Sequence, residues 1–208
     1  MPPNTTVCYV ARHGATILNQ EKCFRGNANP PLSPVGIKEA HELANFFADK
    51  DISHIICSDK QRATATAEII AKSKHIPIHK LECLRALNVG DFSGEKRTPE
   101  SEAHLQQYLD SPDTKIPGGE SLNEFKARIA PCLQNAVDLF SQCGVPPLLV
   151  CHSSIIHETG AVIKGHHKSI LVEPGGAIEV FFNGSKLDAR PIFKPLRMPP
   201  GTAASTIT

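Results

Sequence analysis

The chain predicts an α/β fold of three layers, α/β/α, around a mostly parallel sheet, and three observations predict it. Short β-rich apolar runs alternate with stretches of helical periodicity along the 208 residues, the order that builds a parallel sheet through crossover helices. The strand-like runs at residues 7–11 and 148–151 are short, apolar and uninterrupted. Helix-start signals stand between the strands, most clearly Ser33-Pro34 and Ser121-Leu122-Asn123-Glu124.

Val7-Cys8-Tyr9-Val10-Ala11 reads as the first strand. Ser33 is a cap with proline at the first helical position, and Ile37, Ala40, Leu43, Ala44 and Phe47 keep a helical spacing to about Lys50. His54-Ile55-Ile56-Cys57 is a second strand, and residues 61–72 form a helix with Ala63, Ala67, Ile70 and Ala71 on one side. Residues 76–81 form a third strand, and Pro77 places it near a sheet edge or at a strand start. A helix is expected near residues 99–109, within a segment that lids a pocket. The capping box at Ser121 opens a long helix with Phe125, Ile129, Leu133, Val137 and Phe140 inward, which Pro131 kinks or breaks. Leu148-Leu149-Val150-Cys151 is the fourth strand, and residues 177–193 form a hairpin with Asn183-Gly184 as its two-residue turn. Residues 1–194 are read as one domain, and 195–208, rich in Pro, Thr, Ala and Ser, as a mobile tail.

Twenty-two Lys and Arg balance 21 Asp and Glu, a net charge of +1, so nothing in the composition recruits nucleic acid or an anionic membrane. Any anion site must be local. The seven cysteines contain no Cys-x-x-Cys pair, and Cys8, Cys57 and Cys151 lie in strand-like runs. Buried free thiols fit this pattern better than a disulfide framework. No basic segment followed by an apolar stretch opens the chain, and no run of 18 apolar residues occurs, so a cytoplasmic protein is expected. His166-His167 and the other histidines lack ligand-like spacing with carboxylates or cysteines, and no metal is expected. The oligomeric state is left open by the sequence.

The chemistry-bearing residues gather at strand ends. Arg12-His13-Gly14 follows the first strand, Ser58 through Arg62 follows the second, and His152 follows the fourth. Ligands of open α/β sheets bind outside the carboxyl ends of the strands, where these groups converge. An arginine offers a planar fork of donors to phosphate oxygens, and glycine lets the backbone turn or approach closely.

In these residues the chain resembles the histidine phosphatase superfamily, also called phosphoglycerate-mutase-like, in its phosphatase-type branch. The resemblance runs through Arg12-His13-Gly14-Ala15-Thr16 with Asn19, Phe24-Arg25-Gly26, Pro31-Leu32-Ser33-Pro34-Val35-Gly36, Ser58-Asp59-Lys60-Gln61-Arg62-Ala63-Thr64, Pro117-Gly118-Gly119-Glu120-Ser121 and the strand ending at His152. It implies a phosphoglycerate-mutase-like fold and a phosphohistidine intermediate on His13, with no cofactor and no metal. Arg12 and Arg62 would hold the phosphate and lower the pKa of His13. His152 would donate to the developing charge, and Asn19, Arg25, Gly26 and Ser153 would complete the pocket.

The chain departs from that pattern at one position. The family usually carries an acid/base glutamate in a frame that here reads Leu84-Arg85-Ala86-Leu87-Asn88-Val89-Gly90-Asp91-Phe92-Ser93-Gly94, with Ala86 in its place. A natural or an engineered change, a substitute carboxylate at Glu82 or Asp91, or a substrate with a good leaving group would each account for it. His152 is followed by Ser153-Ser154 where glycine is common. Only about thirty residues separate Ala86 from Pro117, whereas glycolytic mutases of the family carry a longer insertion there. The expected activity is hydrolysis of a phosphomonoester, with a phosphorylated small molecule or phosphoprotein as partner. The alternatives are a catalytically impaired phospho-ligand binding protein and a phosphoglycerate-type mutase.

Overall fold

The computed structural model describes residues 4–164 and 170–196, with backbone alone at 161–164. Six strands, β1 (Thr6–Arg12), β2 (Ile55–Ser58), β3 (Ile78–Leu81), β4 (Leu148–Cys151), β5 (Ala177–Asn183) and β6 (Lys186–Phe193), form one sheet in the order β3-β2-β4-β1-β5-β6. The first four are mutually parallel, and β5 and β6 add an antiparallel edge. β3 closes the opposite edge, and Pro77 stands just before it with its carbonyl accepting from Ile55 N at 3.0 Å.

The helices are α1 (Ile17–Gln20), α2 (Pro34–Phe47), α3 (Gln61–Lys74), α4 (Pro99–Asp110), α5 (Leu122–Cys143) and α6 (Ser153–Lys164). Alternation along β1 divides the core. Tyr9 and Ala11 join Leu43, Phe47, Ala63 and Ile70 of α2 and α3 on one face. Cys8 and Val10 join Phe125, Ile129 and Ile155 of α5 and α6 on the other. A period of two along the strand therefore yields three layers.

Caps fix the helix starts. Ser33 Oγ accepts from Gly36 N at 3.2 Å, and Ser121 Oγ accepts from Glu124 N at 3.1 Å while Glu124 Oε2 accepts from Ser121 N at 3.0 Å. α5 continues through Pro131, which lies on its exposed side. Its buried stripe runs through Cys132 and Ala136 rather than Leu133 and Val137.

Several expectations change. Asn183 pairs with Lys186, so the hairpin turn is Gly184-Ser185, with Gly184 at φ 65°. The turn needs positive φ, and the glycine's own position supplies it. Cys83 and Cys132 form a disulfide, with Cα atoms 6.5 Å apart, against the expectation of free thiols throughout. A short 3-10 turn at Glu82–Leu84 lies against α5, so packing brings together two cysteines 49 residues apart. Cys8, Cys57 and Cys151 are free and buried. Leu196 N still donates to Glu42 Oε2 at 2.9 Å, and the expected tail from residue 197 onward lies outside the described residues, as do His166 and His167. No described helix is long and apolar enough to cross a membrane.

Two glycines set how the loop after β1 sits. A Cβ on Gly14 would stand 2.2 Å from the Gly36 carbonyl oxygen, and one on Gly36 would stand 1.9 Å from that of Ala15. The loop and the start of α2 cross in backbone contact. Gly36→Ala is expected to destabilise the protein by about 1–3 kcal/mol, a fall in Tm of about 2–12 °C by thermal denaturation. An unchanged Tm would contradict the crossing.

Candidate active site

The order β2-β4-β1 makes three carboxyl ends neighbours, and His13, Ser58 with Arg62, and His152 meet there. Backbone bonds lock the register: Arg12 pairs with Cys151, and His13 N donates to Cys151 O at 3.0 Å. His13, Arg62 and His152 are all buried.

The bonding of His13 fixes its tautomer. Nδ1 lies 2.6 Å from the Gly14 carbonyl oxygen, which can only accept, so Nδ1 carries the proton. Arg62 Nε–H donates to Nε2 at 3.1 Å, so Nε2 presents its lone pair. Arg62 is itself placed at the first turn of α3, where Nη1 donates to Ala28 O at 2.7 Å. The imidazole is thereby neutral and oriented, with its Nε2 lone pair beside a fixed cation.

His152 completes the cluster. Its ring centroid lies 5.1 Å from that of His13, and its Nε2 is 3.0 Å from Ser58 Oγ. Three buried polar atoms around this cluster have no partner among the described residues: Arg12 Nε, Arg62 Nη2 and His152 Nδ1. Buried polar atoms are costly when left unpaired, and three in one place, two of them cationic guanidinium donors, match the requirements of an anion with several oxygens.

The remaining residues named from the sequence take different places. Asn19 Oδ1 accepts from Thr16 N at 2.9 Å and Thr16 Oγ1 at 3.0 Å, so Asn19 braces the loop after β1 while lining the cleft beside Arg12. Arg25 lines the same cleft. Gly26, with φ 44°, is buried against Val89 and Ser93, where a Cβ would fall 2.7 Å and 2.5 Å from their side chains. Its position reflects close packing. Ser153 opens α6 directly after His152, so backbone donors of a helix start adjoin the cluster.

Ala86 is half-buried, in a segment anchored on both sides of the site. Arg85 forms a bidentate pair with Asp59, Leu87 N donates to Ser154 Oγ at 3.1 Å, and Arg128 Nη2 donates to Ala86 O at 3.2 Å. Neither substitute carboxylate reaches in. Glu82 is mostly exposed and pairs with Arg85 at 3.1 Å, and exposed Asp91 lies over Gly118. Asp59 is drawn below the usual carboxylate range, chiefly by its hydrogen bond from Arg85, and stays ionised.

Two bracing residues escaped the sequence reading. Buried Glu39 accepts from Ala15 N at 2.6 Å, and Thr66 Oγ1 accepts from Gly14 N at 3.2 Å while donating to Arg62 O at 2.8 Å. They act on backbone atoms 24 and 52 residues away. No local spacing announces such a contact; the only signal was a glutamate on the inner side of α2.

Burial, followed by His152 and then Arg62, holds His13 well below the ordinary imidazole value of 6.5; burial and then Arg62 do the same to His152. The unfolded chain therefore binds these protons more readily than the folded one, so stability is full above about pH 6.5 and falls as the pH drops below it. The expected loss is up to about 1.4 kcal/mol per histidine per pH unit. Thermal unfolding from pH 7.5 to pH 5 checks this, with a shallower acid decline expected for His13→Asn. A Tm independent of pH in that window would contradict it.

Residues 8–171 match the model of the histidine phosphatase superfamily, branch 1. A probable phosphoglycerate mutase, GpmB, of Yersinia pestis is 34% identical over 148 residues, covering 69% of this chain and 68% of that protein. A mycobacterial glucosyl-3-phosphoglycerate phosphatase complexed with VO3 superposes with a TM-score of 0.75 at 20% identity, covering 90% of this chain and 98% of that one. An alpha-ribazole phosphatase from Shigella flexneri gives a TM-score of 0.72 at 22% identity over 89% and 95%. A phosphoglycerate mutase from Bacillus anthracis gives 0.75 at 23% over 89% and 91%. With a family model spanning most of the chain over the strand ends where His13, Arg62 and His152 meet, the protein belongs to the histidine phosphatase superfamily, branch 1.

Proposed function

We propose that the protein is a phosphatase that hydrolyses a phosphomonoester through a phosphohistidine on His13. The observation that carries this reading is the set of unpartnered buried atoms, Arg12 Nε, Arg62 Nη2 and His152 Nδ1, gathered around a neutral His13 whose lone pair sits on Nε2.

In the first step the Nε2 lone pair forms a bond to phosphorus as the ester P–O bond breaks, and the leaving oxygen departs with that bond's electrons. Arg62 Nε–H moves from the lone pair to a phosphoryl oxygen, trading a neutral acceptor for a charged one. Arg12, Arg62 and the start of α6 hold the equatorial oxygens, and His152, protonated on the Nδ1 that has no other partner, supplies a further donor. In the second step water attacks phosphorus and Nε2 leaves, returning inorganic phosphate and the neutral ring. Gly14 O holds the Nδ1 proton throughout, which stabilises the phosphorylated ring.

Ala86 narrows the substrates. Neither Glu82 nor Asp91 stands ready to protonate a poor leaving group, so phosphates whose leaving groups depart without protonation, such as aryl or acyl phosphates, are preferred. A second reading, a phospho-ligand binding protein, is favoured by the same alanine. Incubation with p-nitrophenyl phosphate separates them. Sustained phosphate release is expected, whereas phosphate binding without release supports the binding protein. Phosphoryl exchange between positions of a phosphoglycerate without release would mark a mutase and overturn hydrolysis.

A further inference from the structure

Away from the His13 cluster, a cleft opens on the face of the sheet that carries α5 and α6. α5 lies over β1 while α6 reaches across to β6, and the space between the two helices runs down to the strands. It holds about 350 Å³, within the range of small-molecule sites, about 300–1,000 Å³. Its floor is Cys8, Val10 and Val180, all buried. Burial pushes the Cys8 thiol up to about 12, so the floor carries no charge at neutral pH.

The sequence of α5 explains its wall of the cleft. Leu133 and Val137 have the helical spacing of a core stripe, yet the residues that reach the core are Cys132 and Ala136, one position back. Leu133 and Val137 are left half-buried along the cleft. Apolar surface held beside water in this way is removed from it when an apolar occupant enters.

The facing wall, on α6, sets two polar residues into this apolar surround. Thr159 is satisfied, with Oγ1 donating to Ile155 O at 2.8 Å. Glu158 is not. Its side chain is only 9% exposed, and its one partner among the described residues is Lys126 of α5, with Nζ 3.3 Å from Oε1. Oε2 accepts no hydrogen bond from those residues. A buried carboxylate is costly unless its oxygens are hydrogen-bonded as well as paired. Lys126 already offsets the charge from the mouth of the cleft, so the missing group is a donor and not a second cation.

We propose that the cleft between α5 and α6 binds a small, neutral, mostly hydrocarbon molecule with one N–H or O–H donor, its hydrocarbon against Val10, Leu133, Val137 and Val180 and its donor on Glu158. An anion would be repelled by Glu158, and a cation would have to displace Lys126. None of His13, Arg12, Arg62 and His152 lines this cleft, so the site is separate from the phosphate cluster. The two helices that it joins also hold the Ala86 segment, Arg128 of α5 through Ala86 O and Ser154 of α6 through Leu87 N. An occupant braces both supports of that segment at once.

The test uses the full chain with two probes, indole, which carries one N–H on a hydrocarbon frame, and indene, which has the same shape and no donor. Dissociation constants are measured by calorimetry, and the position of the probe by methyl NMR, with inorganic phosphate present at saturation. Indole is expected to bind about tenfold tighter than indene, and both to shift the methyl resonances of Leu133, Val137 and Val180. Glu158→Leu is expected to bring the two probes to equal affinity. Glu158→Gln, the smaller change should Glu158→Leu fail to fold, is expected to narrow the gap, and Leu133→Trp, which fills the cleft, to abolish binding of both. Absence of indole binding, equal affinity of the two probes in the wild type, or a gap unchanged in the Glu158 variants overturns the proposal. Indole binding that is lost when phosphate is added overturns it by placing the probe at the His13 cluster. Methyl shifts at Leu133 and Val137 that follow protein concentration without any probe, with a dimer in sedimentation, overturn it by giving the cleft to a second copy of the chain.

Discussion

His13→Ala is expected to lower kcat/KM for an aryl phosphate by about 10⁴-fold or more. The ring holds its lone pair in a fixed direction, because Gly14 O claims Nδ1–H and Arg62 Nε donates to Nε2. Removing it leaves Arg12, Arg62 and His152 in place to bind phosphate, so the loss should fall on kcat while phosphate affinity remains measurable. Steady-state kinetics and phosphate calorimetry on the same sample check both parts. A variant that keeps more than about a tenth of the wild-type kcat would show that water attacks directly.

Ala86→Glu carries the second large effect. It is expected to raise kcat/KM on alkyl phosphates by about 10²- to 10⁴-fold, the usual worth of a placed general acid. The anchors of this segment, Arg85 on Asp59, Leu87 N on Ser154 and Arg128 on Ala86 O, do not use the Ala86 side chain. The Ala86→Glu variant should therefore keep these anchors. Aryl phosphates should gain far less, since their leaving groups need no proton. A plot of log kcat/KM against leaving-group pKa for the two proteins checks this, steep for the wild type and shallow for the variant. Equal gains across the series would mean that the glutamate acts by some route other than protonation.

The core elements were legible because their signals are local. The uninterrupted apolar run of β1, proline after Ser33 and the box at Ser121 each depend on a few adjacent residues and on physics that no distant partner overrides. The convergence of His13, Arg62 and His152 was legible for a related reason: a parallel sheet puts successive strand ends on one side. What escaped rests on long-range contacts. Glu39 and Thr66 hold the backbone of the loop after β1, the Cys83–Cys132 bond joins a 3-10 turn to α5, and the bond from Arg97 N to Lys22 O joins segments 75 residues apart through main-chain atoms. The hairpin turn moved by one residue because two adjacent positions could each accept the turn, and pairing of Asn183 with Lys186 settled which did.

The central claim is that His13 Nε2 takes the phosphoryl group. The most direct measurement mixes the protein with an aryl [³²P]phosphate, quenches within the first turnover in alkali, and maps the labelled residue by peptide mass spectrometry. Label on His13 that survives alkali and is lost in acid, and that is absent from His13→Ala, is the predicted result. Turnover with no label on His13 at any quench time, or label retained in His13→Ala, would contradict it.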